Sequence, residues 1–158
     1  TAGQKHGMHP FGMRAMMSLR LDKFFGSWLS EFSPDYTPAE TGMDRFVAFD
    51  KEADFIGRSA AEAERQAGAK RKLAVFEVDA DDADAVGYEP VWIDGEVKGF
   101  CTSGGYSHYA KKSIALALVD GQSLSDELEA DIEILGDMRG AKRIHQMYFD
   151  ADGQRMRG

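Results

Sequence analysis

The chain has 158 residues, of which 43% are hydrophobic and 29% charged, a balance that supports a packed core and excludes wholesale disorder. Nineteen Lys and Arg against 27 Asp and Glu leave a formal charge of −8, so no basic surplus exists to displace counterions and nucleic acid is excluded as a default partner. No apolar run approaches the roughly 18 residues of a membrane span, so no membrane partner is expected. The single cysteine, Cys101, cannot form an internal disulfide and points to a reducing, cytoplasmic setting.

Residues 11–25 read as a helix. Met13, Met17, Leu21 and Phe24 recur at helical spacing, Met16 and Phe25 widen the stripe, and Gly26 is a natural stop. A methionine stripe is expected to fill core, because the thioether adapts to irregular gaps. The stretch from Ser33 to Glu40 is broken by Pro34 and Pro38 and reads as irregular. Within it Thr37-Pro38-Ala39-Glu40 has the capping-box pattern, with Gly42 limiting any helix to about one turn. Phe46 to Phe49 reads as a short strand and Asp50 to Asp54 as a charged turn. Ser59-Ala60-Ala61-Glu62 is a second capping box, opening a helix that runs to about Ala67 and stops at Gly68.

After Gly68 the apolar period shortens from about 3.6 to about 2. We therefore expect a boundary there, with one unit over 1–68 and another over 69–158. Arg71 to Val78 is a strand, and the acidic run Asp79 to Asp84 a solvated loop. Val91-Trp92-Ile93 and Glu96-Val97-Lys98 flank Asp94-Gly95, the favoured pair for a type I′ hairpin turn. Gly99 to Ser103 extends the second of these strands. Gly104-Gly105 reads as a turn between strands rather than a phosphate loop, since neither dinucleotide nor Walker spacing is present. Ser113 to Val119 is an apolar strand closed by Asp120-Gly121. Glu129 to Leu135 alternates until Ile132 and Leu135 fall out of phase, which predicts a bulge or an end. Arg143 to Phe149 reads as the last strand, followed by a turn at Asp152-Gly153. About five or six short strands joined by turns suggest a small antiparallel barrel or sandwich.

Few residues announce chemistry. His6 and His9 are spaced to share a metal but have no further ligand nearby in sequence. His108 and His145 read as isolated surface or hydrogen-bonded residues. Asp79, Asp81, Asp82 and Asp84 lack the glycine and closing glutamate of a calcium loop. Cys101, inside a strand, reads as a buried inert thiol. Arg20 and Asp22 interrupt an apolar helix in Ser18-Leu19-Arg20-Leu21-Asp22-Lys23. Asp22 borders the apolar stripe, where a carboxylate with two acceptor oxygens suits either a surface position or a heterocycle offering paired N–H donors.

The string Pro10-Phe11-Gly12-Met13-Arg14-Ala15-Met16-Met17-Ser18-Leu19-Arg20-Leu21-Asp22-Lys23 resembles the helix of the glycine cleavage T-protein (aminomethyltransferase) family. It is closer still to the folate-binding half of dimethylglycine and sarcosine dehydrogenases. Tyr36 to Met43, Asp54-Phe55-Ile56-Gly57-Arg58, Glu89-Pro90-Val91-Trp92, Gly99 to Ser107 and Lys112 to Ala117 follow in the family's order. Tyr148 to Arg157 is similar to the tail of the dehydrogenase branch. The resemblance implies an α+β fold: the last part of a folate-binding central domain, made of helices and short strands, and then a C-terminal β-barrel. It implies tetrahydrofolate as cofactor, with Asp22 in the role of the family's pterin-binding glutamate, one methylene shorter. Arg20 stands in the same motif, where a structural pair is expected, and Tyr36 opens the next.

The resemblance further implies that the family's catalytic aspartate and about half of the folate cavity lie upstream of Thr1. In the dehydrogenase branch a domain carrying FAD lies upstream as well. The parent protein would then oxidise an N-methyl amine and pass the one-carbon unit to folate, or take it from an aminomethyl carrier. The alternative is that this chain by itself is a non-catalytic structural or interaction module. A chain cut through a domain should expose the helix at 11–25, and self-association through it is expected.

Overall fold

Alternation decides the larger half of the molecule. In β1 (Arg71–Val78) Ala74, Phe76 and Val78 point one way and are buried, while Arg71, Leu73, Val75 and Glu77 point the other. The computed structural model describes residues 2–157. After β1 come β2 (Pro90–Ile93), β3 (Glu96–Ser107), β4 (Lys112–Asp120), β5 (Glu129–Ile134) and β6 (Asp137–Ile144). All neighbours are antiparallel, and the order β1-β4-β3-β2-β5-β6 closes on itself, so the fold is a barrel and not a sandwich. Closure removes every free edge.

The interior is filled by Ala74, Phe76, Val78, Val91, Ile93, Cys101, Ala115, Ala117, Val119, Ile132 and Ile134. Asp94 and Gly95, at φ 51° and 77°, form the expected hairpin turn of β2 and β3. The out-of-phase Leu135 marks an end: with Gly136 it turns the chain into β6, at φ 54° and 91°. β6 therefore begins at Asp137, and the strand expected over Arg143 to Phe149 is corrected to one ending at Ile144. The acidic run is a loop, but it is not merely solvated. It tucks Ala85 into the barrel core, with Ala80 and Ala83 against it.

Two helices and irregular chain form a second layer. α1 (Met13–Leu21) is shorter than the expected 11–25. It ends because Phe24 turns left-handed, at φ 54°, and the Phe25 N–H returns to the Arg20 carbonyl at 3.0 Å. The methionine stripe does not fill core. Met13 is 70% exposed, Met16 and Met17 are exposed too, and Leu21 alone in α1 is buried. α2 (Arg58–Ala67) starts one residue before Ser59, from Gly57 at φ 88°, so the expected capping box does not cap it. Arg58 and Glu62 instead pair along the helix at 2.9 Å. The other capping box forms without a helix: the Thr37 N–H donates to Glu40, and the Glu40 N–H to the Thr37 hydroxyl.

Phe46 to Phe49 is not a strand. Asp44–Phe46 is a single 3-10 turn, because a closed barrel leaves no edge for another strand to join. This layer covers the outer side of β1, β4 and β3, where Leu21 meets Ile114 and Leu116 beside Leu73 and Val75. A last short helix, α3 (Gln154–Arg157), follows the tail.

Candidate functional site

The seam between α1 and β3 depends on one extra residue. Cys101 pairs with Ala117 and faces the barrel interior, whereas Ser103 pairs with Leu116 and faces out. Thr102 is the bulge between them, its hydroxyl on the Leu116 carbonyl at 3.1 Å. The bulge reverses the parity of the strand and turns Ser103, Gly105 and Ser107 toward the outer layer. Gly104-Gly105 is thus not a turn between strands but part of β3. A side chain at Gly104 would overlap the Ala85 carbonyl, and Gly105 has φ 151°.

Each member of that outward row holds one residue of the helical layer. Ser107 donates to Asp22, Gly105 lies 3.4 Å below Leu21 at its Cβ position, and Ser103 donates to Glu31. Glu31 is wholly buried, and it also accepts from the Ser27 N–H at 2.6 Å and the Ser30 hydroxyl at 2.8 Å. Burial works to raise its carboxyl. The bonds from Ser103, the Ser27 N–H and Ser30 outweigh that and hold it below the usual carboxylate range.

Arg20 completes the cluster. Its Nη1 lies 3.5 Å from Glu31 and donates to the Phe25 carbonyl at 2.9 Å. Burial lowers its pKa, and the Glu31 charge opposes this. Its Nε is buried with no partner among the described residues. Beside the seam a groove of about 280 Å³ runs between Met13, Met17 and Leu21 and the Gly104-Gly105 pair, with Arg14 and Ser18 at its sides.

The sequence-predicted residues do not share one cavity. Asp22 is buried on Ser107 and Arg20 is tied to Glu31, and neither lines the groove. Tyr36 sits elsewhere, stacked on Arg71 at 5.2 Å, while Arg71 pairs with Glu40 at 2.9 Å. Burial raises the Tyr36 phenol, with the Arg71 charge pulling the other way. The residue that sequence reasoning missed is Glu31. Its partner Ser103 is 72 positions away, and the one local signal is a carboxylate inside Trp28-Leu29-Ser30-Glu31-Phe32. Among the described residues no three of His, Cys, Asp and Glu gather as metal ligands, and His6 and His9 find no third. The His145 ring meets the Asp126 carbonyl at 2.8 Å, and His108 lies edge-on to Tyr106. Cys101 is buried, and burial, then Glu89, pushes its thiol up to about 12.

A closed antiparallel barrel with a helical layer clamped to it by buried carboxylates defines an α+β module. Residues 71–150 match the glycine cleavage T-protein C-terminal barrel domain, and residues 1–51 match the GCVT N-terminal domain. The chain belongs to the glycine cleavage T-protein family. It is 41% identical over 136 residues to mitochondrial dimethylglycine dehydrogenase of Mus musculus, covering 86% of this chain and 16% of that protein. It is 34% identical over 148 residues to an aminomethyltransferase of Geobacillus sp. (strain WCH70), covering 94% and 40%. Aminomethyltransferase T of the glycine cleavage system from Bartonella henselae superposes with a TM-score of 0.79 at 21% identity, over 89% of this chain and 39% of that one. The chain thus spans well under half the length of these relatives.

Proposed function

We propose that this chain is the C-terminal part of a tetrahydrofolate-dependent one-carbon transfer protein, of the dimethylglycine dehydrogenase or aminomethyltransferase kind. The observation that carries the proposal is the end of α1. There the Arg20-Leu21-Asp22 motif, which resembles the pterin-binding motif of the family, is held against β3 by Ser107, Gly105 and Ser103 through Glu31. The residues suit a folate. The groove between Met13, Met17 and Gly104-Gly105 is mostly apolar and takes a flat ring, and Arg20 and Asp22 stand outside its lining, around Leu21, which does line it.

Asp22 would set the pterin by accepting from its N–H groups, Arg20 would fix the Asp22 turn, and Tyr36 would stand at the far side of the layer. Folate, when bound, supplies the acceptor for the one-carbon unit, and this chain supplies position and electrostatics. An N-methyl amine would be the donor in the parent protein, with FAD in a separate domain. The units 1–68 and 69–158 would be the end of the folate domain and the barrel, a division supported by matched spans that fall on either side of Gly68. A reducing, cytoplasmic location belongs to the same proposal.

Calorimetry with folinic acid tests it. We expect micromolar binding by the intact chain that Asp22→Asn weakens, measured at a temperature where the variant is still folded. No heat from the intact chain would remove the folate reading from these residues.

A second reading has its own support. Phe11, Trp28, Leu29, Phe46 and Ile56 are all exposed on the helical layer, as are Met13 and Leu19 of α1. A surface of that kind suits a chain that binds another protein surface, or itself through residues 11–25, and performs no chemistry alone.

A further inference from the structure

The tail that leaves the barrel runs back to the end of α1 and meets it residue for residue. The Phe149 N–H donates to the Asp22 carbonyl at 3.2 Å. The Lys23 ammonium donates to the Asp150 carbonyl at 2.5 Å and lies 3.7 Å from the Asp150 carboxylate. The Phe24 ring meets Tyr148 edge-on at 6.1 Å. The tail is itself fixed to the barrel, because Tyr148 donates to Glu77 of β1 at 2.6 Å and Phe149 packs edge-on against Tyr109 at 5.2 Å. Lys112 of β4 reaches the other oxygen of Glu77 at 2.6 Å.

Both sides of this contact hold a conformation the chain does not favour alone. Phe24 and Asp150 have φ of 54° and 46°, although neither is glycine. Lys23 and Asp22 are buried, so the turn is not a frayed helix end. A locally disfavoured turn that follows two buried residues is fixed by what surrounds it. Here that surrounding is the tail on one side and Ser107 on the other.

We infer that Tyr148, Phe149 and Asp150 are positioning residues: the C-terminal tail is a clasp that sets the 22–24 turn, and with it the direction of the Asp22 carboxylate. The inference rests on the folate reading only for the consequence of misplacing Asp22. The tail touches no ligand groove, and its effect is exerted through the turn.

The test is hydrogen exchange with mass spectrometry on the full chain, comparing the parent with Lys23→Met and Tyr148→Phe. Lys23→Met removes the ammonium and keeps the apolar stem. Tyr148→Phe keeps the ring against Phe24 and removes the bond to Glu77. We expect amides of residues 20–25 and of the tail around 148–150 to exchange about tenfold faster together, with β1 and β4 amides unchanged. Folinic acid affinity should fall about tenfold in the same two variants. Uniform acceleration across the barrel, or no change at 20–25, would overturn the clasp. Local loosening with unaltered folinic acid affinity would overturn its positioning role. If the parent chain takes no folinic acid, the folate reading fails, and the exchange pattern still decides whether the tail sets the turn.

Discussion

Glu31 is a carboxylate cut off from water, accepting from two serine hydroxyls and one backbone N–H, with a guanidinium 3.5 Å away. Removing such a partner leaves the rest buried and unpaired. We expect Glu31→Gln to cost about 3 kcal/mol, read from urea unfolding at neutral pH. The sign of the acid response follows from the lowered carboxyl. The folded state binds the proton less readily than the unfolded state, so the contribution of Glu31 is complete above the unfolded carboxylate value of about 4.3 and is lost as the pH falls through its lower folded value. The melting temperature of Glu31→Gln should therefore fall less steeply on acidification than that of the parent. A parallel acid limb would show that Glu31 is not the group responsible. Cys101 gives a second expectation at this scale. Buried, with its thiol near 12, it should resist iodoacetamide in the native chain and react once the chain is unfolded in urea.

At the scale of elements, β3 carries the most constraint. A methyl at Gly104 would fall on the Ala85 backbone carbonyl, which cannot move without drawing the acidic loop out of the core. Gly104→Ala should cost about 2 kcal/mol or more in urea unfolding. Gly140→Ala is the control: a methyl there meets nothing within 4 Å, and stability should hold or rise slightly. The same element shows what was legible in the sequence. β1, the β2–β3 hairpin and β4 could be read because the alternation of β1, the Asp94-Gly95 turn and the apolar run of β4 are local properties. β6 could not, since Asp137 to Ile144 buries only Ala141 and has almost no apolar face to read. Phe46 to Phe49 misled because an apolar run is taken for a strand whether or not an edge awaits it. At the candidate site Arg20 and Asp22 stood out as charges in an apolar helix. Glu31 did not, because only the fold brings Ser103 to it.

For the molecule as a whole, the two layers differ in how complete they are. The barrel encloses its core and has no edge, whereas the helical layer turns Met13, Phe11, Trp28 and Leu29 to solvent. A surface of that kind associates when nothing covers it. We expect light scattering after size exclusion to show concentration-dependent self-association, which Met13→Glu reduces without altering the melting temperature. Met13 opens α1, where an acidic residue also favours the helix dipole, so the substitution should not weaken the helix. A monomer at all concentrations would argue that the layer is stable uncovered.

The bulge at Thr102 makes the attachment of one layer to the other a matter of counting. Were the bulge straightened with every residue kept, simple alternation would run through Thr102, and every position from Ser103 to Ser107 would change sides. The hydroxyls that hold Asp22 and Glu31 would be aimed into the alanine-lined interior, and two carboxylates would lose their donors at one stroke. The bulge, with the Thr102 hydroxyl on the Leu116 carbonyl, therefore sets the side that five positions take. One residue inserted or lost between Ser103 and Ser107 would part the two hydroxyls onto opposite faces, so variation there should come as substitution.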